Sequence, residues 1–164
     1  MSVSQPASYS RLQIALHWII AALIAFQLIF GEAMEELGEA LREGEMPDAM
    51  TSLMGNAHIW VGVAILALMV LRIALKLMRG APAPVPGPRW QEILAKSVHG
   101  LLYLLLIVAP VTGLAAWYSG IYQAGEIHHI LKPAFILLIA LHVVGALWHQ
   151  FIARDTTLRR MTFH

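Results

Sequence analysis

Histidine is the residue type whose number and placement in this chain predict chemistry. Six of the eight histidines lie within or at the edges of long, uncharged apolar runs. An ionisable side chain is costly inside such a run and is usually functional there. A single one could be explained by hydrogen bonding between packed helices, but six spread over four runs indicate ligands for a metal or cofactor. The six are His17, His58, His99, His128, His142 and His149.

The absence of cysteine restricts the kind of site that these histidines can form. Without cysteine the chain cannot hold iron–sulfur clusters, thiolate zinc, disulfides or covalent c-type haem. Neutral imidazole is a good ligand for haem iron, zinc and copper. A zinc enzyme would need a third ligand beside an open position, as in an H-E-x-x-H sequence, which is absent here. We therefore interpret the histidines as ligands of non-covalent haem.

The spacing of the histidines predicts two pairs. His128 and His142 are 14 residues apart, so on one helix they share a face and lie about 21 Å apart, near opposite membrane surfaces. His17 and His58 lie early in the first and second runs, which cross the membrane in opposite directions. Each therefore has a partner in the last run at comparable depth. Two such pairs predict two haems.

The spacing alone leaves some assignments open. His149 is seven residues beyond His142 and on nearly the same face, so either could pair with His17. His99 has a depth similar to that of His17 and competes with it as a ligand. The histidines left over would contact a haem propionate or a quinone. Gly62, one turn beyond His58, is expected to leave room for a porphyrin between helices.

The elements that must position these residues are membrane-spanning helices. The chain of 164 residues is 59% hydrophobic and 13% charged, against about 45–50% and about 25% in soluble domains. Its four uncharged runs (12–31, 49–71, 97–125 and 133–153) are each long enough to span a bilayer as a helix. The sequence predicts an all-α membrane protein with one domain over 1–164. It is a bundle of four transmembrane helices, about 12–31, 51–78, 93–117 and 128–153, with haems between them.

The distribution of charge predicts the orientation of this bundle. Nine of the eleven basic residues precede the first run, lie between the second and third, or follow the fourth. By the positive-inside rule both termini are therefore expected in the cytoplasm. The connection between the first two runs faces outwards and is strongly acidic. Its carboxylates are Glu32, Glu35, Glu36, Glu39, Glu43, Glu45 and Asp48.

Several sequence strings, in order and at the expected helix positions, resemble the bacterial cytochrome b561 family over essentially the whole chain. They are S-R-L-Q-I-A-L-H-W at 10–18, His58 with Gly62, H-G-L-L-Y at 99–103, P-V-T-G at 110–113, and the segment from L-H at 141–142 to L-R-R-M at 158–161. The resemblance implies a dihaem protein of the bacterial inner membrane, in which His17 and His142 ligate the inner haem and His58 and His128 the outer one. Members of this family transfer electrons between the quinone pool and a reactant at the outer face. Some oxidise superoxide and reduce ubiquinone.

The reactant at the outer face has two candidates. The resemblance favours superoxide, which we prefer, whereas the acidic outer surface should repel this anion and attract a basic soluble periplasmic redox protein. We expect ubiquinone to bind close to His149, with Gln13 and Arg72 as further candidate contacts. The rival class of function is a non-redox membrane anchor or metal transporter. No nucleic-acid partner is expected.

Overall fold

A computed structural model describes residues 6 and 8–162 of the chain. All regular structure in these residues is helical, and four helices are long and apolar enough to cross a membrane. The predicted all-α, four-span fold is thereby confirmed, while the predicted domain limits, 1 and 164, lie outside the described residues. The helices are α1 (Arg11–Phe30), α2 (Glu32–Glu43), α3 (Ala49–Arg79), α4 (Arg89–Ser119) and α5 (Tyr122–Trp148), with a π-helical turn at His149–Ala153 and a 3₁₀ turn at Arg159–Met161.

The ends of the helices follow from local capping chemistry. Ser10 and Gln13 form a reciprocal capping box at the start of α1. Asp48 caps α3, and the backbone N–H groups of Thr51 and Met50, with the Thr51 hydroxyl, lower the pKa of this carboxyl below its usual value. Gly120 ends α4 in a left-handed conformation, with φ 63°, that a side chain would disfavour. The chain turns there so tightly that the last helix begins six residues before the expected residue 128.

The acidic connection folds into α2, an amphipathic helix that its charge alone did not predict. Leu37 is buried on the inner face of α2 and packs against Gly55 of α3. A Cβ atom at Gly55 would overlap the Leu37 side chain, so the glycine permits the close approach. The carboxylates of α2 lie on its other faces. The connection between α1 and α3 is therefore an ordered acidic surface.

The four long helices pack in sequence, with α1 on α3, α3 on α4, and α4 along α5. Residues from all four helices meet in an apolar core at mid-height of the bundle, where Met69 is only 1% exposed. The other members of this core are Ile20, Ile65, Leu105, Leu106 and Phe135. Large apolar side chains such as Leu77 and Ile130 are exposed on the outside, as a lipid-facing surface requires.

One end of the bundle, which we call the basic end, gathers the start of α1, the end of α3, the start of α4 and the segment after α5. Hydrogen bonds between these segments hold it together. The Gln13 side chain donates to the Gly80 carbonyl (3.2 Å), and the Trp18 indole donates to the Met161 carbonyl (2.7 Å). In addition, Arg160 donates to the Ala83 carbonyl (2.7 Å). The basic residues there are Arg11, Arg72, Lys76, Arg79, Arg89, Lys96, Arg154, Arg159 and Arg160.

Candidate functional site

Two pairs of histidines face each other across the bundle. The imidazole centroids of His17 and His142 are 6.0 Å apart, and those of His58 and His128 are 6.1 Å apart. Two imidazoles on opposite sides of one metal, with bonds of about 2 Å each, place their centroids about 6 Å apart. Both pairs therefore have the separation that two axial ligands of one iron require.

The two pairs lie at different levels of the bundle. His17 is on α1 and His58 on α3, while both partners are on α5. The backbone of α5 packs mainly along α4, so each pair reaches across a wider separation between helices. The 14 residues between His128 and His142 correspond to about 21 Å along α5, and the apolar core lies between the two levels. Two flat cofactors could occupy these levels without sharing a ligand.

His99, which competes with His17 in the sequence, has a different geometry. Its ring centroid is 5.0 Å from that of His142, about 1 Å less than the separation in each of the two pairs and too short for two ligands on opposite sides of one metal. Its Nδ1 atom lies 2.6 Å from the Ala95 carbonyl oxygen of its own helix. The structure thus places His99 beside His142.

The P-V-T-G string of α4 shapes the surroundings of His128. Nδ1 of His128 lies 2.8 Å from the carbonyl oxygen of Ala109, the residue before Pro110. The Thr112 hydroxyl donates back to the same carbonyl (3.0 Å). A Cβ atom at Gly113 would lie 3.1 Å from Cε1 of His128, closer than an ordinary contact. Gly113 therefore makes room for the imidazole. The Ala109 carbonyl holds Nδ1 of His128, so Nε2 is the ring nitrogen that points away from it.

The surroundings of His58 contain a polar residue that we did not single out from the sequence. The Gln27 amide of α1 donates to the His58 carbonyl (2.9 Å). A Cβ atom at Gly62 would be 3.4 Å from that amide nitrogen, so the Gln27 amide lies beside Gly62. From the sequence we expect Gly62 to leave room for a porphyrin, and this expectation leaves out the nearby Gln27. A polar residue within an apolar run is a recognisable indication of a buried contact.

His149 lies where α5 changes into its π-helical turn. Its Nδ1 atom is 2.5 Å from an Asp155 carboxylate oxygen, and its carbonyl accepts the Asp155 N–H (3.1 Å). Arg154 adopts a left-handed conformation with φ 53°, which folds the chain back onto His149. Burial raises the pKa of Asp155, but hydrogen bonds from Thr157 and His149 outweigh it and leave this pKa below its usual value. π-Helical turns and such backbone conformations are frequent at functional sites.

Gln13 and Arg72 connect helices at the basic end. The side-chain oxygen of Gln13 accepts hydrogen bonds from the Ser10 backbone N–H and hydroxyl, and its amide donates to the Gly80 carbonyl. Both ends of this side-chain amide therefore form hydrogen bonds within the bundle. Arg72 donates to the Gln13 carbonyl (2.9 Å) and to the Tyr103 hydroxyl (3.2 Å).

At the opposite end of the bundle, α2 and α5 are joined by a contact between a histidine and a carboxylate. Nδ1 of His129 lies 3.5 Å from a carboxylate oxygen of Glu35, and both side chains are exposed. His129 thus contacts the acidic helix, whereas the neighbouring His128 faces His58.

Comparison with known proteins decides the family. Residues 8–164 match the family described as prokaryotic cytochrome b561. The chain belongs to the prokaryotic cytochrome b561 family. As a family member it is a bacterial membrane protein of electron transfer, and a cytochrome b of this family implies haem b.

Relatives of this cytochrome b561 chain match it over nearly their full length. It is 38% identical over 161 residues to a protein named cytochrome b562 from Cereibacter sphaeroides. This alignment covers 97% of this chain and 98% of the relative. It is 31% identical to the "Probable superoxide oxidase CybB" of Yersinia pestis (93% and 94% covered). It is 32% identical to cytochrome b561 homolog 1 of Escherichia coli K12 (93% and 96% covered).

Proposed function

We propose that this cytochrome b561 family member binds two b-type haems and carries electrons across the bacterial inner membrane, between a donor at the outer face and ubiquinone at the inner face. The observation that carries the proposal is the pair of imidazole separations, 6.0 Å for His17 with His142 and 6.1 Å for His58 with His128. We assign the first pair to an inner haem and the second to an outer haem. Both termini are then cytoplasmic, because the basic end faces inwards.

The chain's own residues hold these groups and control their surroundings. Each haem, when bound, supplies a one-electron carrier at its level of the membrane. The four histidines would hold the haem irons through imidazole nitrogens. The Ala109 carbonyl accepts the Nδ1–H of His128 and would leave Nε2 as the nitrogen that binds iron. The apolar core around Met69 keeps water away from the interval between the two levels.

Ubiquinone is proposed to bind beside His149, near the inner pair. Reduction of one quinone consumes two electrons and two protons. When both ring nitrogens of His149 carry a proton, Nδ1–H donates to Asp155, and Nε2–H is available to a quinone carbonyl. The Gln13 amide is already engaged, so His149 is the polar contact we assign to the quinone, with Arg72 close to the same helices.

Replacing His149 with glutamine is expected to slow quinone-dependent haem reoxidation at least about tenfold, because the imidazole hydrogen bond to the quinone carbonyl and a group that can transfer a proton are lost. Both haems should stay bound. Rapid mixing of the reduced protein with a soluble ubiquinone analogue measures the rate. His129→Gln, at the opposite end, is the matched control and should leave this rate unchanged. An unaltered rate in His149→Gln with both haems present would place the quinone elsewhere.

Superoxide is the proposed donor at the outer face. Two superoxide anions each lose one electron and become dioxygen, while one ubiquinone gains two electrons and two protons and becomes ubiquinol. The similarity to a protein named probable superoxide oxidase supports this choice. The exposed carboxylates of α2 favour the second candidate, a basic soluble periplasmic redox protein that would dock on this surface.

Mixing the oxidised protein with superoxide in a stopped-flow instrument distinguishes these donors. If superoxide is the donor, haem reduction should be faster than the disproportionation of superoxide, and its rate should rise with salt, because ions screen the acidic surface over about 10 Å at 0.1 M. Reduction no faster than disproportionation would exclude superoxide. The soluble-partner candidate then requires salt-sensitive binding of a basic cytochrome that weakens when Glu35, Glu36 and Glu39 are neutralised.

A further inference from the structure

Two buried polar atoms beside the outer histidine pair have no hydrogen-bond partner among the described residues. They are the side-chain oxygen Oε1 of Gln27 and the Nδ1 atom of His58. In a membrane bundle an unsatisfied buried polar atom costs free energy, and such atoms are nearly always paired in folded proteins. The two atoms belong to residues in direct contact, since the Gln27 amide nitrogen donates to the His58 carbonyl at 2.9 Å. Gln27 Oε1 is an acceptor without a donor, and His58 Nδ1, when it carries the proton, is a donor without an acceptor.

We propose that Gln27 Oε1 accepts the Nδ1–H of His58 and makes Gln27 a positioning residue of the outer site. The inference rests on the proposed function, because it concerns His58 as an axial ligand. The amide is anchored by its own nitrogen, which donates to the His58 carbonyl and lies beside Gly62, so its oxygen belongs to a group that is already held against His58. His128 already has a corresponding acceptor, the Ala109 carbonyl at 2.8 Å. With Gln27 as the acceptor for His58, both histidines of the outer pair have a hydrogen-bond acceptor at Nδ1.

Such an acceptor changes the ligand as well as orienting it. An imidazole whose Nδ1–H is hydrogen bonded is a more basic ligand and favours the oxidised metal. Gln27 therefore lowers the midpoint potential of the outer haem. Nothing comparable connects Gln27 to the inner pair, because His17 is nearly three helical turns away along α1. The inner haem is accordingly a control within the same molecule.

Two substitutions separate the acceptor from the other contacts of Gln27. Gln27→Met keeps the length of the side chain but loses both the amide donor and the acceptor oxygen. Gln27→Glu also loses the amide donor but keeps a carboxylate oxygen near Nδ1. The experiment is a spectroelectrochemical redox titration of the whole purified protein in nanodiscs, with the two haems resolved by their visible spectra. Haem content is measured on the same samples.

In Gln27→Met we expect the ratio of reduced to oxidised outer haem at a fixed potential to rise about tenfold, which corresponds to about 59 mV for a one-electron couple. In Gln27→Glu the outer potential should stay at or below that of the wild type, and the inner potential should not change in either variant. Equal outer potentials in Gln27→Met and Gln27→Glu would overturn the inference while leaving the dihaem proposal intact. A wild-type protein that lacks a second haem would instead refute the proposed function.

Discussion

His58→Ala is expected to remove one of the two haems and leave the other in place. Each b-type haem of this kind needs two axial ligands. The ring of His129 is also near His128, at 6.3 Å, but it is the next residue on α5 and cannot face His128 across the bundle as His58 does. The haem content should therefore fall from about two to about one per chain, and His128→Ala should give the same result. Substitution of His17 or His142 should instead remove the inner haem, whose ligands are 6.0 Å apart.

Binding of the remaining haem shows that these variants are still folded. Pyridine haemochrome analysis gives the content, and a redox titration shows which of the two potentials has disappeared. His99→Ala is a useful comparison, because its ring lies only 5.0 Å from that of His142 and should not be an axial ligand. Retention of both haems in His142→Ala, with loss of one in His149→Ala, would show that His149 is the partner of His17.

Gly113→Val is expected to abolish binding of the outer haem without changing any ligand. Even a Cβ atom at this position would lie 3.1 Å from Cε1 and 3.2 Å from Nδ1 of the His128 ring. The two further methyl groups of valine would displace the imidazole and break its contact with the Ala109 carbonyl. The haem content should again fall to about one per chain, with the potential of the inner haem retained.

Gly100→Val is the matched control for this substitution. Gly100 is on the same helix, and a Cβ atom there would meet nothing within 4 Å. It should keep both haems. If Gly113→Val also keeps both haems with unchanged potentials, the role of the P-V-T-G string in placing His128 is wrong.

The four spans could be predicted from the sequence because long uncharged runs have few alternatives to transmembrane helices. The predicted ends of the helices were less accurate where an apolar run did not end at a charged residue. The third run continued through Gly120, whose left-handed turn separates α4 from α5. The helix α2 was missed because its many carboxylates dominate the connection, although its apolar residues recur at helical spacing around the buried Leu37. Hydropathy identifies what enters the membrane, whereas turns and amphipathic connections depend on packing.

The pairing of the histidines could be predicted only in part. The 14-residue spacing on one helix predicted two levels, but the depth of His99 and His149 could not separate them from His17 and His142. Distances between rings on different helices distinguish His99, and those depend on how α1, α4 and α5 pack. The contacts of Gln27 and Gly113 also join residues distant in sequence, so they became visible only in the folded bundle.

The binding of two b-type haems is tested most directly by the visible spectrum and pyridine haemochrome of the purified protein, with the chain concentration measured by amino-acid analysis. We expect reduced b-type bands and close to two non-covalent haems per chain, which the two histidine pairs require. A colourless protein, or one that binds zinc in place of haem, would contradict the dihaem function proposed for this chain.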